Sequence, residues 1–172
     1  MRLFALVPLA VVLGLAGCGY HTLGAATHLP PDLTTLAVPL FSNQTNTYGT
    51  ETVLTGAVIR EFAARTRYRV VPQADPDAGA TLRGVLLKEA VTPLTYNSST
   101  QQSSSFLVTI VLSVTLTGRD GHVLYRNPSY VFRQQYQSTT VLPTFLQEDP
   151  AAVQRLARDF ARQLVADVLE GF

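Results

Sequence analysis

Polarity along the chain changes period several times, and each period predicts an element. Leu36, Val38 and Leu40 alternate with smaller neighbours, which predicts a short strand. Pro39 cannot donate a ladder hydrogen bond, so that strand belongs at an edge or ends there. After the polar loop 42–47, Leu54, Val58 and Phe62 recur at four-residue spacing with Val53 and Ala57 beside them. That is one apolar stripe of a helix. Thr50 is placed to cap it and Glu51 to complement its dipole. Gly56 weakens the helix interior by about 1 kcal/mol unless close packing on the sheet requires it. Residues 68–71 read as a second strand, and strand–helix–strand predicts a parallel neighbour of the first.

The second half is strand-rich. Residues 82–94 are strand-like, but the parity of Arg83, Lys88 and Glu89 leaves their faces ambiguous. In 106–117, Phe106, Val108, Ile110, Leu112, Val114 and Leu116 share one face, opposite Thr109, Ser113, Thr115 and Thr117, which is a half-buried strand. Gly118-Arg119-Asp120-Gly121 closes a hairpin into 122–137, with Leu116 expected opposite Val123 and Val114 opposite Tyr125. Unbroken alternation would then bury Arg133 at a cost of several kcal/mol. A bulge at Asn127-Pro128 avoids this by turning Tyr130, Phe132 and Tyr136 inward and Arg126 and Arg133 outward. The last element is a helix capped by Asp149, with Pro150 at its first position and Gly171 past its end. Its stripe runs through Val153, Leu156, Ala157, Phe160, Leu164, Val165 and Val168. Together these predict an α+β fold in which two helices pack on one face of a four-stranded mixed sheet. The order is β-α-β-β-β-α, with room for a short extra strand.

The N-terminus has a different character. Arg2 precedes an apolar run, 3–16, with the plan of a secretory signal peptide. The run is shorter than the roughly 18–20 residues a membrane span needs. It ends in Leu15-Ala16-Gly17-Cys18, which resembles a bacterial lipobox. There the cysteine becomes the acylated N-terminus, and Gly19 in place of Asp points to the outer membrane. The expected organisation is a cleaved leader over 1–17, a lipidated tether over 18–33 and one domain over 34–172. Several acyl chains hold a protein on a membrane where one holds marginally.

Composition narrows the function. Lys and Arg number 13 against 12 Asp and Glu, and the leader takes one of the positive charges. That balance disfavours a nucleic-acid partner. A single cysteine excludes an intrachain disulfide framework and multi-cysteine metal sites. His21, His28 and His122 lack metal-ligand spacing, and no phosphate loop or nucleophile elbow is present. The chain therefore reads as a non-enzyme with no metal and no cofactor.

Two features stand out. Asn97-Ser98-Ser99-Thr100-Gln101-Gln102-Ser103-Ser104-Ser105 is an uncharged polar run, suited either to a solvated hairpin tip or to a hydrophilic barrel interior. Gln134, Gln135, Gln137, Ser138, Thr139 and Thr140 form a second such cluster. Arg155, Arg158 and Arg162 share one side of the last helix. They form either a phosphate-binding ridge or a solvated face in which Arg155 pairs with Asp159.

In order along the chain, Cys18-Gly19-Tyr20-His21, then 36–45 (Leu-Ala-Val-Pro-Leu-Phe-Ser-Asn-Gln-Thr), a helix containing Leu54-Thr55, the Val70-Val71 strand, the 118–121 hairpin and a terminal amphipathic helix resemble the LPS-assembly lipoprotein family LptE. The resemblance implies a roll of two helices on a four-stranded sheet. It also implies an outer-membrane lipoprotein anchored through acylated Cys18 on the periplasmic side, largely within the lumen of an LptD-type β-barrel. Such a protein plugs the barrel, helps it assemble, binds lipopolysaccharide and assists its insertion into the outer leaflet. Some relatives carry basic residues in two loops, but 95–105 and 134–149 contain no Lys or Arg here. The candidate lipopolysaccharide contacts are therefore Arg126, Arg133, Arg155, Arg158 and Arg162, and 97–105 is the candidate barrel contact. Two other classes compete, a lipoprotein regulator of an envelope enzyme and a subunit of a secretion pore. The first would carry a long linker after Cys18. The second would need membrane-spanning strands of about 9–11 residues, which 106–117 satisfies in length.

Overall fold

A computed structural model describes residues 28–97, 102–137 and 150–171. Cys18, residues 98–101 and 138–140 of the polar segments, and the Asp149 cap lie outside the described residues. The elements are β1 (Thr35–Ala37), β2 (Ser42–Asn43), α1 (Thr50–Arg65), β3 (Arg69–Val71), β4 (Ala80–Asn97), β5 (Gln102–Gly118), β6 (Val123–Gln137) and α2 (Pro150–Glu170). They form one mixed sheet ordered β3-β1-β4-β5-β6, with β2 also on β4. β1 runs parallel to β3, as strand–helix–strand order predicts, and parallel to β4; β4, β5 and β6 form an antiparallel meander.

The α+β class and the mixed sheet match expectation, but the sheet has six strands rather than four. Four strands, β3 to β6, separate the helices, one more than the order β-α-β-β-β-α contains, and they correspond to the strand-like segments 68–71, 82–94, 106–117 and 122–137. Pro39 also interrupts the first predicted strand, so 35–43 contributes two short pieces.

The core lies between the sheet and the two helices. Phe106, Val108, Ile110, Leu112, Val114 and Leu116 of β5 are all buried, as the alternation requires. Leu54, Val58 and Phe62 of α1 meet them with Phe160, Leu164 and Val165 of α2. Each such side chain contributes about 1.5–3 kcal/mol by leaving water. Leu29 and Leu33 are buried too, so the segment before β1 is packed. Phe160 seats α2 on β6 by edge-to-face contacts with Tyr130 and Phe132, at centroid distances of 6.1 and 5.6 Å.

The predicted bulge in β6 is present. Leu112 pairs with Tyr130 and Val114 with Asn127, so Pro128 and Ser129 together oppose Ser113. Tyr130 and Phe132 are buried, while Arg126 and Arg133 are exposed. The hairpin register differs from expectation, because Leu116 pairs with Tyr125 and Thr117 with Val123. The Gly118 N–H donates to the His122 carbonyl at 2.8 Å, which makes a three-residue loop. Gly121 takes φ +84°, the left-handed position such loops require. A second irregularity follows between Leu116 and Thr117, leaving Tyr125 buried and Val123 exposed.

The start of α1 also differs. Gly49, with φ 97°, precedes the helix, and Thr50 is its first residue rather than its cap. Glu51 supplies the capping acceptor by reaching back to the Gly49 N–H at 3.0 Å. At the other end of the chain, Pro150 opens α2 and Gly171, with φ +77°, follows it.

Element lengths shape the molecule. A 17-residue strand such as β5 extends about 55 Å. The 16-residue α1 and 21-residue α2 cover only about 24 and 31 Å. The meander is therefore longer than the helices that cover it.

Candidate functional site

The family-like segment around Phe41 is held by a compact polar network. Thr55 is buried in α1. Its hydroxyl donates to the Glu51 carbonyl at 2.6 Å and accepts from the Phe41 N–H at 3.1 Å. The Asn43 amide donates to the Thr47 carbonyl at 2.7 Å and to Glu51 Oε2 at 2.8 Å, while its Oδ1 accepts from the Thr45 N–H and hydroxyl, both at 2.8 Å. Leu36-to-Thr45 and Leu54-Thr55 thus form one clamp that fixes loop to helix. The Thr50 hydroxyl extends it to β4 by donating to Glu89 Oε2 at 2.7 Å. This clamp is scaffold: Phe41, Thr50 and Thr55 are buried, and Asn43, Thr45 and Glu51 are half-buried around them.

The candidate surfaces lie elsewhere. Among the polar residues 97–105, Asn97 ends β4 and 102–105 belong to β5, so the described part is strand rather than loop. Ser105 is buried and accepts a hydrogen bond from the Gln135 amide at 2.7 Å, which joins the two polar segments. Below this end, Phe106 stacks on Tyr136 at 5.6 Å.

The five candidate arginines fall into two groups. Arg126 and Arg133 alternate with the buried Tyr125, Tyr130 and Phe132, so they stand on the sheet face turned away from the helices. Arg155, Arg158 and Arg162 are exposed on α2, on the other side of the molecule. Asp159 pairs with Arg162 at 3.5 Å, not with Arg155 as expected; i,i+3 spacing serves as well as i,i+4. Such an exposed pair adds little to stability. Arg162, Asp159 and Gln163 border an open groove of about 310 Å³ against Phe132 and Gln134 of β6.

Residues that sequence reasoning did not single out complete the picture. Tyr130 donates a hydrogen bond to the Asp167 carboxylate at the C-terminal end of α2. Burial pushes the Asp167 carboxyl up; the Tyr130 bond opposes that, and Glu170 adds to it. Burial first, then Asp167, pushes the Tyr130 phenol well above its ordinary value. Both ring nitrogens of His28 lie 3.2 Å from carbonyl oxygens, Nδ1 from Leu169 and Nε2 from Leu124, strapping the end of α2 to β6. These contacts span long sequence separations and leave no local pattern. Among the described residues there is no cluster of His, Cys, Asp and Glu able to hold a metal.

The family model for LptE, described as Lipopolysaccharide-assembly, matches residues 33–168. The chain belongs to the LptE family. The match begins at buried Leu33 and ends at buried Val168, so it spans the packed domain described above. Solved structures share the fold at low identity. A lipoprotein B from Nitrosomonas europaea is 13% identical with TM-score 0.50, covering 82% of this chain and 88% of that one. The protein CT253 from Chlamydia trachomatis is 7% identical with TM-score 0.52, covering 80% and 97%. A PelC dodecamer from Paraburkholderia phytofirmans is 11% identical with TM-score 0.50, covering 79% and 89%. A comparison with curated proteins finds no match. Membership of the LptE family places the chain among lipopolysaccharide-assembly lipoproteins.

Proposed function

We propose that this LptE-family chain is anchored by acylated Cys18 to the periplasmic side of the outer membrane. There it plugs an LptD-type β-barrel, helps the barrel assemble, binds lipopolysaccharide and assists its passage to the outer leaflet. The observation that carries this reading is the family match across 33–168. The molecule supports it physically in two ways. The β4–β6 meander extends beyond the helices and is polar and uncharged at its far end, which suits a hydrophilic barrel interior. The Gln135 amide donates to the buried Ser105 hydroxyl there, which pairs one buried polar group at that end.

For lipopolysaccharide, Arg126 and Arg133 on the sheet and Arg155, Arg158 and Arg162 on α2 are the available guanidinium forks for phosphate. Their separation onto two sides means that one headgroup engages one group, not all five.

The fold itself is shared with a dodecameric PelC, which keeps the secretion-pore subunit as the alternative. Purification of the tagged full-length lipoprotein from its native outer membrane in mild detergent separates the two. A stoichiometric large β-barrel is the expected companion. Recovery of a self-oligomer, an envelope enzyme or the lipoprotein alone overturns the plug reading.

A further inference from the structure

The sheet carries an asymmetry of charge that net composition hides. β4, β5 and β6 contain Arg83, Lys88, Arg126 and Arg133 and a single acid, Glu89. Register places Glu89 opposite buried Ile110, on the helix side, where it accepts the Thr50 hydroxyl. The four cations lie on the other side. Arg83 pairs with Thr115, and Thr115 pairs with Arg126, so two arginines flank one threonine across three strands. Lys88 stands opposite Val111, and Arg133 opposite Thr109. None of the four forms an ion pair among the described residues. Outside these three strands, the described residues hold eight Lys and Arg against nine Asp and Glu. A nearly neutral chain is therefore polarised, with its positive side on the helix-free face of the sheet.

We propose that this face, centred on the Arg83–Thr115–Arg126 row, is the surface that docks on a partner protein wall bearing carboxylates. The inference rests on the barrel-plug reading and names the side of the molecule that meets the barrel. Three observations select a protein wall over a glycolipid headgroup. Arg83 and Arg126 are two strands apart, about 10 Å. Arg133 lies in the row of Thr109, six residues along β5 from Thr115, or about 20 Å. Cations at that spacing match carboxylates staggered along neighbouring strands better than the clustered phosphates of one headgroup. The intervening side chains of β5, Thr109, Val111, Ser113 and Thr115, are half-buried and mostly hydroxyls, with Val131 exposed beside them. A strip in which hydroxyls predominate suits a wet protein interface. Complementary charge of this kind sets orientation and speeds encounter.

The test uses the full-length lipoprotein in its native outer membrane, with a photoreactive benzophenone side chain at Thr115 and, separately, at Arg158 on α2. The expected result is an adduct with the large β-barrel from Thr115, reduced at least tenfold in the R83E/R126E variant. Val131, on the same face and more exposed, carries the label if the Thr115 form does not fold. A barrel adduct from Arg158 with none from Thr115 or Val131 overturns the inference and leaves the plug reading standing. A ladder of lipopolysaccharide adducts from Thr115 in place of the barrel also overturns it. No barrel adduct from any of the three positions removes the plug reading and this inference together.

Discussion

The Phe41 ring stands where a β-carbon on Gly84 would be, with three ring carbons 2.7–2.9 Å from that position. Gly84 lies in β4 opposite Val114, so the missing side chain leaves room for Phe41 to lie on the sheet. Gly84→Ala forces the ring or the strand to shift and should cost about 1–3 kcal/mol, the range for overpacking. Phe41→Ala empties the site and should cost about 3–5 kcal/mol. Because each change relieves the strain or the void of the other, the double variant should cost less than the sum. Urea denaturation of the four full-length forms in detergent reads this coupling; strict additivity would show that the contact does not constrain the fold.

Thr55 is the polar counterpart of that contact. Its hydroxyl is the acceptor for the Phe41 N–H at 3.1 Å, within a buried site. Thr55→Val keeps the shape and strands the N–H, so it should destabilise by about 1–3 kcal/mol. Thr55→Ser keeps the hydroxyl and should recover most of the loss. Equal melting temperatures for the valine and serine variants would mean that the hydrogen bond contributes nothing.

Gly56 behaves in the opposite way. Close packing on the sheet does not explain it, since a β-carbon there meets only the end of the flexible Arg60 side chain, at 3.4 Å. Gly56→Ala should therefore stabilise the chain by about 0.5–1 kcal/mol through helix propensity alone. A loss on thermal denaturation would reveal a packing role that the geometry does not contain.

What could be read in advance depended on whether a wrong placement would have been costly. In β5, strict alternation left one choice, and all six inward side chains are buried. The β6 bulge was legible for the same reason, since continuing the register would have buried Arg133. The shift in β4 was not. Leu86 and Leu87 are adjacent and both apolar, so either can face inward without penalty, and the slip between Leu86 and Lys88 decided where Arg83 and Lys88 point. The hairpin erred by one residue at the loop, because Gly118 and Gly121 permit both a two- and a three-residue loop, and by two at Tyr125, because a second irregularity follows. Thr50 looked like a cap by residue type, yet Glu51 satisfies the Gly49 N–H and releases the Thr50 hydroxyl for Glu89. Among the candidate surface residues, the two arginines of β6 were placed correctly by the burial argument. Their partner Arg83 needed the register.

The Tyr130–Asp167 pair makes stability depend on pH with a definite sign. Burial first, opposed by the Tyr130 hydrogen bond and reinforced by Glu170, raises the folded-state pKa of Asp167 above its unfolded value. Between those two values the folded state holds more protons than the unfolded one, so stability falls as pH rises through the window. Above the raised value the full penalty is present; below the ordinary carboxylate range it vanishes. Asp167→Asn removes the charge and still offers an oxygen to the Tyr130 hydroxyl. The variant should therefore melt higher than the native chain at pH 7, with the gap closing as pH falls toward 4. Tyr130→Phe removes the one contribution that favours the carboxylate, so it should move the same transition to higher pH. Melting curves from pH 4 to 8 on the three full-length forms decide the matter. A gap that stays constant, or widens on acidification, would show that Asp167 carries no burial penalty in the folded chain.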